Sequence, residues 1–184
     1  LKTPLIRLQC YEGLDISQSS YEWNYGKQLI SIQSTSDKNI DIFSEDFLIE
    51  RPLLKALRQR SGERAVLLID ELDRADEAFE AYLLEFLSDW QITIPEIGSI
   101  KTEEPPIVVI TSNRTREVHD ALKRRCYYSW VDYPDKDTEL EILKHRVPQT
   151  EPTLQTELIN FVQRLREEEL YKSPGIAETI DWAE

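Results

Sequence analysis

Ala65-Val66-Leu67-Leu68-Ile69 runs without interruption into Asp70-Glu71, and this stretch limits more than any other what the chain can fold into. Consecutive apolar residues that stop at charge read as a strand buried on both faces, the kind found in parallel sheets covered by helices. Such a strand delivers its last side chains to the carboxyl edge of the sheet, where open α/β sheets bind ligands. Asp70 and Glu71 are adjacent, so a strand would aim them to opposite sides of its end. That suits a division of labour, with one carboxylate holding a divalent cation and the other orienting and deprotonating a water. A core strand that simply meets solvent at Asp70 explains these residues equally well, and the flanking sequence has to decide.

Upstream, Leu5 to Cys10 alternates apolar with polar and stops at Tyr11-Glu12-Gly13, a short strand entering a loop. Residues 15 to 50 have no clean period, and short helices with an exposed excursion at 33 to 41 are expected there. Pro52 suits a helix start, and Leu53, Leu54 and Leu57 share a face, so the spacing predicts a helix over 51 to 60. Downstream, Phe79, Tyr82, Leu83, Phe86 and Leu87 predict an amphipathic helix from Asp76 to Ser88. A hairpin is expected from Gln91–Ile94 and Gly98–Thr102, with Pro95-Glu96-Ile97 between them. Pro106 to Ile110 then forms a second buried strand, ending in Thr111-Ser112-Asn113. A helix from Val118 closes with Lys123-Arg124-Arg125, and Tyr127 to Val131 can form a third buried strand. Beyond Tyr133-Pro134-Asp135 the strands stop. Leu140, Leu143 and Val147 mark one helix, Leu154, Leu158, Phe161, Val162 and Leu165 a second, and a third starts at Pro174. The pattern divides the chain into an α/β part, 1–133, and a helical part, 134–184.

Asp73 and Asp76 add charge beside the acid pair, and each is read as a helix N-cap before a ligand. Asn113 closes its strand much as Asp70 closes its own. If the strands are parallel neighbours, its amide could position a water or a phosphate oxygen, although an Asn after a strand also serves as a turn residue. Arg114, Arg116, Lys123, Arg124 and Arg125 concentrate positive charge in a chain of net charge −13. Cations at a helix C-terminus complement its dipole, and an arginine there can also be offered to phosphate. No GxxxxGK[ST] phosphate loop occurs; Gly26-Lys27 is followed by Gln28 and is a decoy. His119 and His145 are isolated and read as surface residues, and Cys10 and Cys126 as small buried hydrophobes of a reducing compartment.

The acidic balance argues against a general affinity for nucleic acid. No apolar run is long enough to insert in a membrane, so a cytoplasmic location is expected. The chain contains no Met and is expected to be a fragment.

Four segments carry a resemblance: Pro4 to Asp15, Tyr21 to Tyr25, Phe47 to Leu54, and Leu68 to Asp76. With an acid-tipped strand, an Asn-tipped strand, a basic helix end and a helical tail in that order, the chain resembles an AAA+ ATPase. More narrowly it resembles the MoxR family, in the branch of CoxD, NorQ and CbbQ type proteins. The resemblance implies an α/β P-loop NTPase fold, a three-layer core with a parallel sheet followed by a small helical lid. It implies ATP and Mg²⁺ as cofactors, with Asp70 toward the metal and Glu71 as the base that activates water. Asn113 corresponds to the residue that senses the γ-phosphate. Arg125, with Arg124 as the alternative, falls where the family carries the arginine that reaches a neighbouring subunit's ATP. The partners implied are further copies in a hexameric ring and a client protein, often a metalloenzyme, together with a von Willebrand A domain partner. The segment around 24–48 and the hairpin at 91–104 resemble the family's partner-engaging inserts. The family's first strand and phosphate loop would precede Leu1, and Ser173-Pro174-Gly175 stands where many relatives have Ser-Pro-Arg. Two other readings remain: a scaffold that keeps the shape without hydrolysing ATP, and a metal-dependent hydrolase built on Asp70, Glu71, Asp73 and Asp76.

Overall fold

A computed structural model describes residues 3–34, 41–59, 62, 64–168 and 173–184. The chain divides into two units, Leu1–Tyr127 and Tyr128–Glu184.

The first unit is built on three parallel strands, β1 (Leu5–Gln9), β4 (Val66–Asp70) and β7 (Ile107–Ile110), in the order β1-β4-β7. The crossover from β1 to β4 carries helices α1 (Ile16–Ser19), α2 (Tyr25–Ser34) and α3 (Pro52–Leu57), with the short antiparallel pair β2 (Tyr21–Trp23) and β3 (Leu48–Glu50). The crossover from β4 to β7 carries helix α4 (Glu77–Asp89) and the hairpin β5 (Gln91–Ile94) and β6 (Gly98–Lys101). Parallel strands cannot be joined by tight turns, so both connections carry elements of their own. A last short helix, α5 (Asp120–Lys123), ends this unit's elements.

Both α3 and α4 start where local chemistry allows. Pro52 occupies the first turn of α3, where its missing N–H costs nothing. Asp76 caps α4 by accepting the amide of Phe79 at 2.8 Å. The expected helices, the hairpin and the strands flanking the acid pair are therefore all present. The pairing of β2 with β3 was not foreseen, because three-residue strands carry no readable period. Part of the excursion expected at 33 to 41, residues 35–40, lies outside the described residues.

The sheet register is Ile6↔Leu67↔Val108 and Leu8↔Ile69↔Ile110, and these six side chains share one face. They join the core with Leu53, Leu54, Phe79, Leu83 and Phe86. The other face carries Leu5, Arg7, Val66, Leu68, Ile107 and Val109, and it is partly open: Leu5 is 64% exposed, Ile107 and Val109 each 45%. The expectation of strands buried on both faces is thus met on one face only. Tyr127 to Val131 do not form the third strand; Tyr127, Tyr128, Trp130 and Val131 are exposed. An apolar run becomes a strand only where another strand offers unpaired backbone groups beside it. Among the described residues nothing pairs with the outer edge of β7.

Among the described residues the second unit has three helices, α6 (Lys136–Arg146), α7 (Pro152–Glu167) and α8 (Ile176–Ala183), around Leu143, Val147, Ile159 and Ala183. At its centre Glu139, fully buried, is paired with Arg166 through two bonds, of 2.6 and 3.1 Å, while Gln163 donates to the same carboxylate at 2.8 Å. The Arg166 guanidinium also lies over the Tyr133 ring, 4.5 Å from its centroid. At Gly175 the backbone N–H donates to Glu178, and a side chain there would meet that carboxylate at 3.0 Å. The glycine standing in the Ser-Pro-Arg position therefore serves the start of α8.

Candidate functional site

The carboxyl end of β4 holds the acid pair, but the two acids have different backbones. Asp70 is the last strand residue, whereas Glu71 has left the strand at φ 54°, ψ 50°. This corrects the expectation that strand alternation aims them apart. A left-handed backbone at a residue other than glycine is uncommon and must be held by its surroundings. Here the Glu71 amide donates to Thr111 Oγ1 at 3.0 Å and its carboxylate pairs with Arg74 at 3.1 Å.

Asp70 is engaged at both oxygens. Thr111 donates its hydroxyl to Oδ1 at 2.5 Å, and Arg7 donates Nε to Oδ2 at 3.0 Å as well as pairing through its terminal nitrogen. The Thr111 hydroxyl first, and Arg7 second, hold the Asp70 carboxyl below the ordinary carboxylate value. Register explains both contacts. Ile69 faces Ile110, so Asp70 comes level with Thr111, and Arg7 projects from the same sheet face two residues before the partner of Asp70. Sequence reasoning passed over Thr111 and Arg7. The matched ends of two apolar runs would have pointed to Thr111.

Asn113 lies two residues beyond Thr111 in an exposed loop, with its amide donating to Asp73 Oδ1 at 3.0 Å. Asp73 is neither a helix cap nor a ligand. It is 3% exposed in the turn Leu72–Arg74, and its other oxygen accepts the amide and hydroxyl of Thr115 at 2.8 and 2.6 Å. Burial pushes its carboxyl upward, but the bonds from Thr115 and Asn113 outweigh that and hold it below the ordinary value. A second buried acid, Glu80 of α4, pairs with Arg116 and accepts the amide of His119 at 2.8 Å, while Arg116 also donates to the Ala75 carbonyl at 2.6 Å. The loop from Thr111 to His119 is thereby strapped to the turn after β4 and to α4. It leads into α5, where Arg124 closes the helix. Arg125 follows, exposed, bonded to Ser88 Oγ at 3.2 Å and to the Ala121 carbonyl at 3.1 Å. The structure thus brings Asp70, Glu71 and the Asn113 loop to one edge, with Arg124 and Arg125 at the far end of the same strapped segment.

Cys10 follows β1 directly, with its amide on the Asp70 carbonyl at 2.8 Å. Burial foremost, and the Asp70 charge next, push its thiol up to about 12, so it is no nucleophile. Cys126, expected to be buried, is exposed. His119 and His145 are exposed as expected; His119 Nδ1 accepts the Ala121 amide at 3.2 Å.

Among the described residues no group of three or more His, Cys, Asp or Glu is placed to hold a metal. The metal-hydrolase reading loses two of its acids in particular: Asp73 is buried under three donors, and Asp76 is the cap of α4. Asp70 stands half-buried at the strand end with both oxygens engaged, by Thr111 and Arg7, so a cation there would have to share or displace those partners. Among the described residues no helix is long and apolar enough to cross a membrane.

No family model matches the chain, and no curated protein matches it. Among solved structures it is similar to a "putative ATPase" from Cytophaga hutchinsonii, with a TM-score of 0.50 and 17% sequence identity. The match covers 88% of this chain and 46% of that one, so the chain spans about half the length of that protein. The likeness shows the fold alone: a mixed α/β architecture with a parallel three-strand sheet and helices, consistent with a P-loop-NTPase-like arrangement.

Proposed function

We propose that this chain is the main part of a MoxR-type AAA+ ATPase that couples ATP hydrolysis to remodelling or maturation of a client protein. The observation that carries this reading is an acid-tipped central strand in a P-loop-NTPase-like sheet, with the Asn113 loop strapped beside the acids. The description of the Cytophaga protein as an ATPase supports it. Mg²⁺, when bound with ATP, would supply the charge that neutralises the phosphates, held by Asp70. Glu71 would take the proton of the attacking water, and Asn113 would orient that water or a γ-phosphate oxygen. Arg125, with Arg124 as the alternative, would serve the nucleotide of a neighbouring copy in a ring, as its exposure allows. The client, with a von Willebrand A domain partner, would engage the surfaces at 24–48 and 91–104. The phosphate cradle would come from residues upstream of Leu1.

Calorimetry with ATP and Mg²⁺, on this chain and on a form extended upstream in its gene, tests the reading. Binding by the extended form alone is the expected result. In that form Glu71→Gln should keep ATP binding and lower turnover by about 10²–10⁴-fold, since a positioned base contributes about that much. Undiminished turnover would remove Glu71 from the mechanism. Arg125→Ala should be inactive by itself, and recover when mixed with a subunit whose own acids are neutralised.

One observation favours a second reading, a nucleotide-incompetent scaffold: both Asp70 oxygens are already taken, by Thr111 and Arg7. Failure of both forms to bind ATP would give that reading the lead.

A further inference from the structure

Asp73 plays no part in the roles assigned to the acids before it, yet it is bonded at both oxygens as Asp70 is and, unlike Asp70, is buried. Both of its oxygens are used, by the Asn113 amide at 3.0 Å, the Thr115 amide at 2.8 Å and the Thr115 hydroxyl at 2.6 Å. Its partners are 40 and 42 residues away in sequence, so these bonds shape the tertiary site and not a local turn. Two further bonds cross the same seam, Leu72 amide to Thr111 carbonyl at 2.9 Å and Glu71 amide to Thr111 Oγ1 at 3.0 Å. The turn that carries Glu71 and the loop that carries Asn113 are therefore joined edge to edge, and Asp73 is the buried carboxylate of the seam.

We propose that Asp73 is a positioning residue: its buried carboxylate sets the backbone of Asn113 against the turn of Asp70 and Glu71, so that sensor and acids move as one body. What that placement serves rests on the ATPase reading. The charge matters because all the groups facing it are donors. An amide at this position would accept through one atom only and would turn its NH₂ toward an N–H, leaving a buried donor without an acceptor. A residue needed merely for packing would tolerate that exchange, since Asp and Asn have nearly the same volume.

The first measurement is amide hydrogen exchange, read by NMR on this chain, with Asp73→Asn beside the wild type. Exchange at Asn113 and Thr115 should quicken by about tenfold or more, as expected when a hydrogen bond is lost, while Ile69 and Leu83 stay protected. Unchanged exchange at the two amides overturns the clamp. Loss of protection throughout β4 and α4 makes Asp73 a determinant of folding and overturns the positioning role. Thr115→Val, which removes one hydroxyl donor, should shift Thr115 the same way by a smaller factor, and it keeps the question decidable if the first variant does not fold. The second measurement uses the upstream-extended form: Asp73→Asn should lower kcat about tenfold or more and leave the Kd for ATP unchanged. An unchanged kcat overturns the role in turnover. A wild-type extended protein that binds no ATP defeats the ATPase reading instead, and the exchange result still decides the clamp.

Discussion

At Glu71 the backbone conformation and the side chain pull in different directions. Its φ of 54° costs an L-residue about 1 kcal/mol, a strain glycine does not feel. Its exposed pair with Arg74 returns little. Glu71→Gly relieves that strain but gives back most of it through the greater freedom of its unfolded chain, so in urea unfolding it should be as stable as the wild type or more stable by up to about 0.5 kcal/mol, although it removes the proposed base. A fall in stability would mean that the Arg74 pair or the carboxylate's surroundings matter more than the strain. The cysteines give a second residue-scale expectation. Cys10 is fully buried with its thiol held up to about 12, and Cys126 is exposed. A thiol reagent at mild alkaline pH should label Cys126 in the native chain and Cys10 only after unfolding. The Asp73 clamp has a pH signature with a definite sign. Its folded value lies below the ordinary 3.8, so its contribution is present above that value and is lost as pH falls through the folded one. Protection at the Asn113 amide should therefore persist to below about pH 4 and vanish in stronger acid.

The elements whose apolar spacing extends over several turns were legible: α4, α6 and α7 lie where their periods placed them, and β4 and β7 where their apolar runs did. Paired short strands were not, since β2 and β3 are defined by each other. Tyr127 to Val131 failed for the converse reason, an apolar run with no neighbouring strand to pair with among the described residues. Of the site, the acids and Asn113 were legible as residues that end apolar runs. Thr111, Arg7 and the roles of Asp73 and Glu80 were not, because each depends on register or on contacts across some forty positions. The helical unit offers an element-scale test. Glu139 is fully buried and held by Arg166, so Arg166→Met strands a buried charge and should cost about 3–5 kcal/mol in denaturant unfolding. The double variant Glu139→Met with Arg166→Met removes both charges and should recover most of that loss. A double variant as unstable as the single one would show that Gln163 and Thr179, which also bond Glu139, carry the packing of α6 against α7 and α8.

For the molecule as a whole, the open face of the sheet is the feature that departs most from what parallel strands require. Parallel sheets are covered on both faces, yet Leu5, Ile107 and Val109 are exposed here, and β7 has an unpaired outer edge among the described residues. An exposed apolar strand edge invites association, which proteins normally blunt with charge. If the ATPase reading holds, upstream residues pack on this face and edge in the longer form, and one substitution should then have opposite effects in the two forms. In this chain Val109→Lys adds charge to an open strand. It should raise the solubility limit and change the unfolding free energy by no more than about 0.5 kcal/mol, the usual range for surface changes. In the upstream-extended form the same lysine would be buried against apolar neighbours and should cost about 2 kcal/mol or more. Light scattering and urea unfolding of the two pairs of proteins decide it. Equal, small effects in both forms would mean that the face stays open in the longer protein and that its strand order ends at β7.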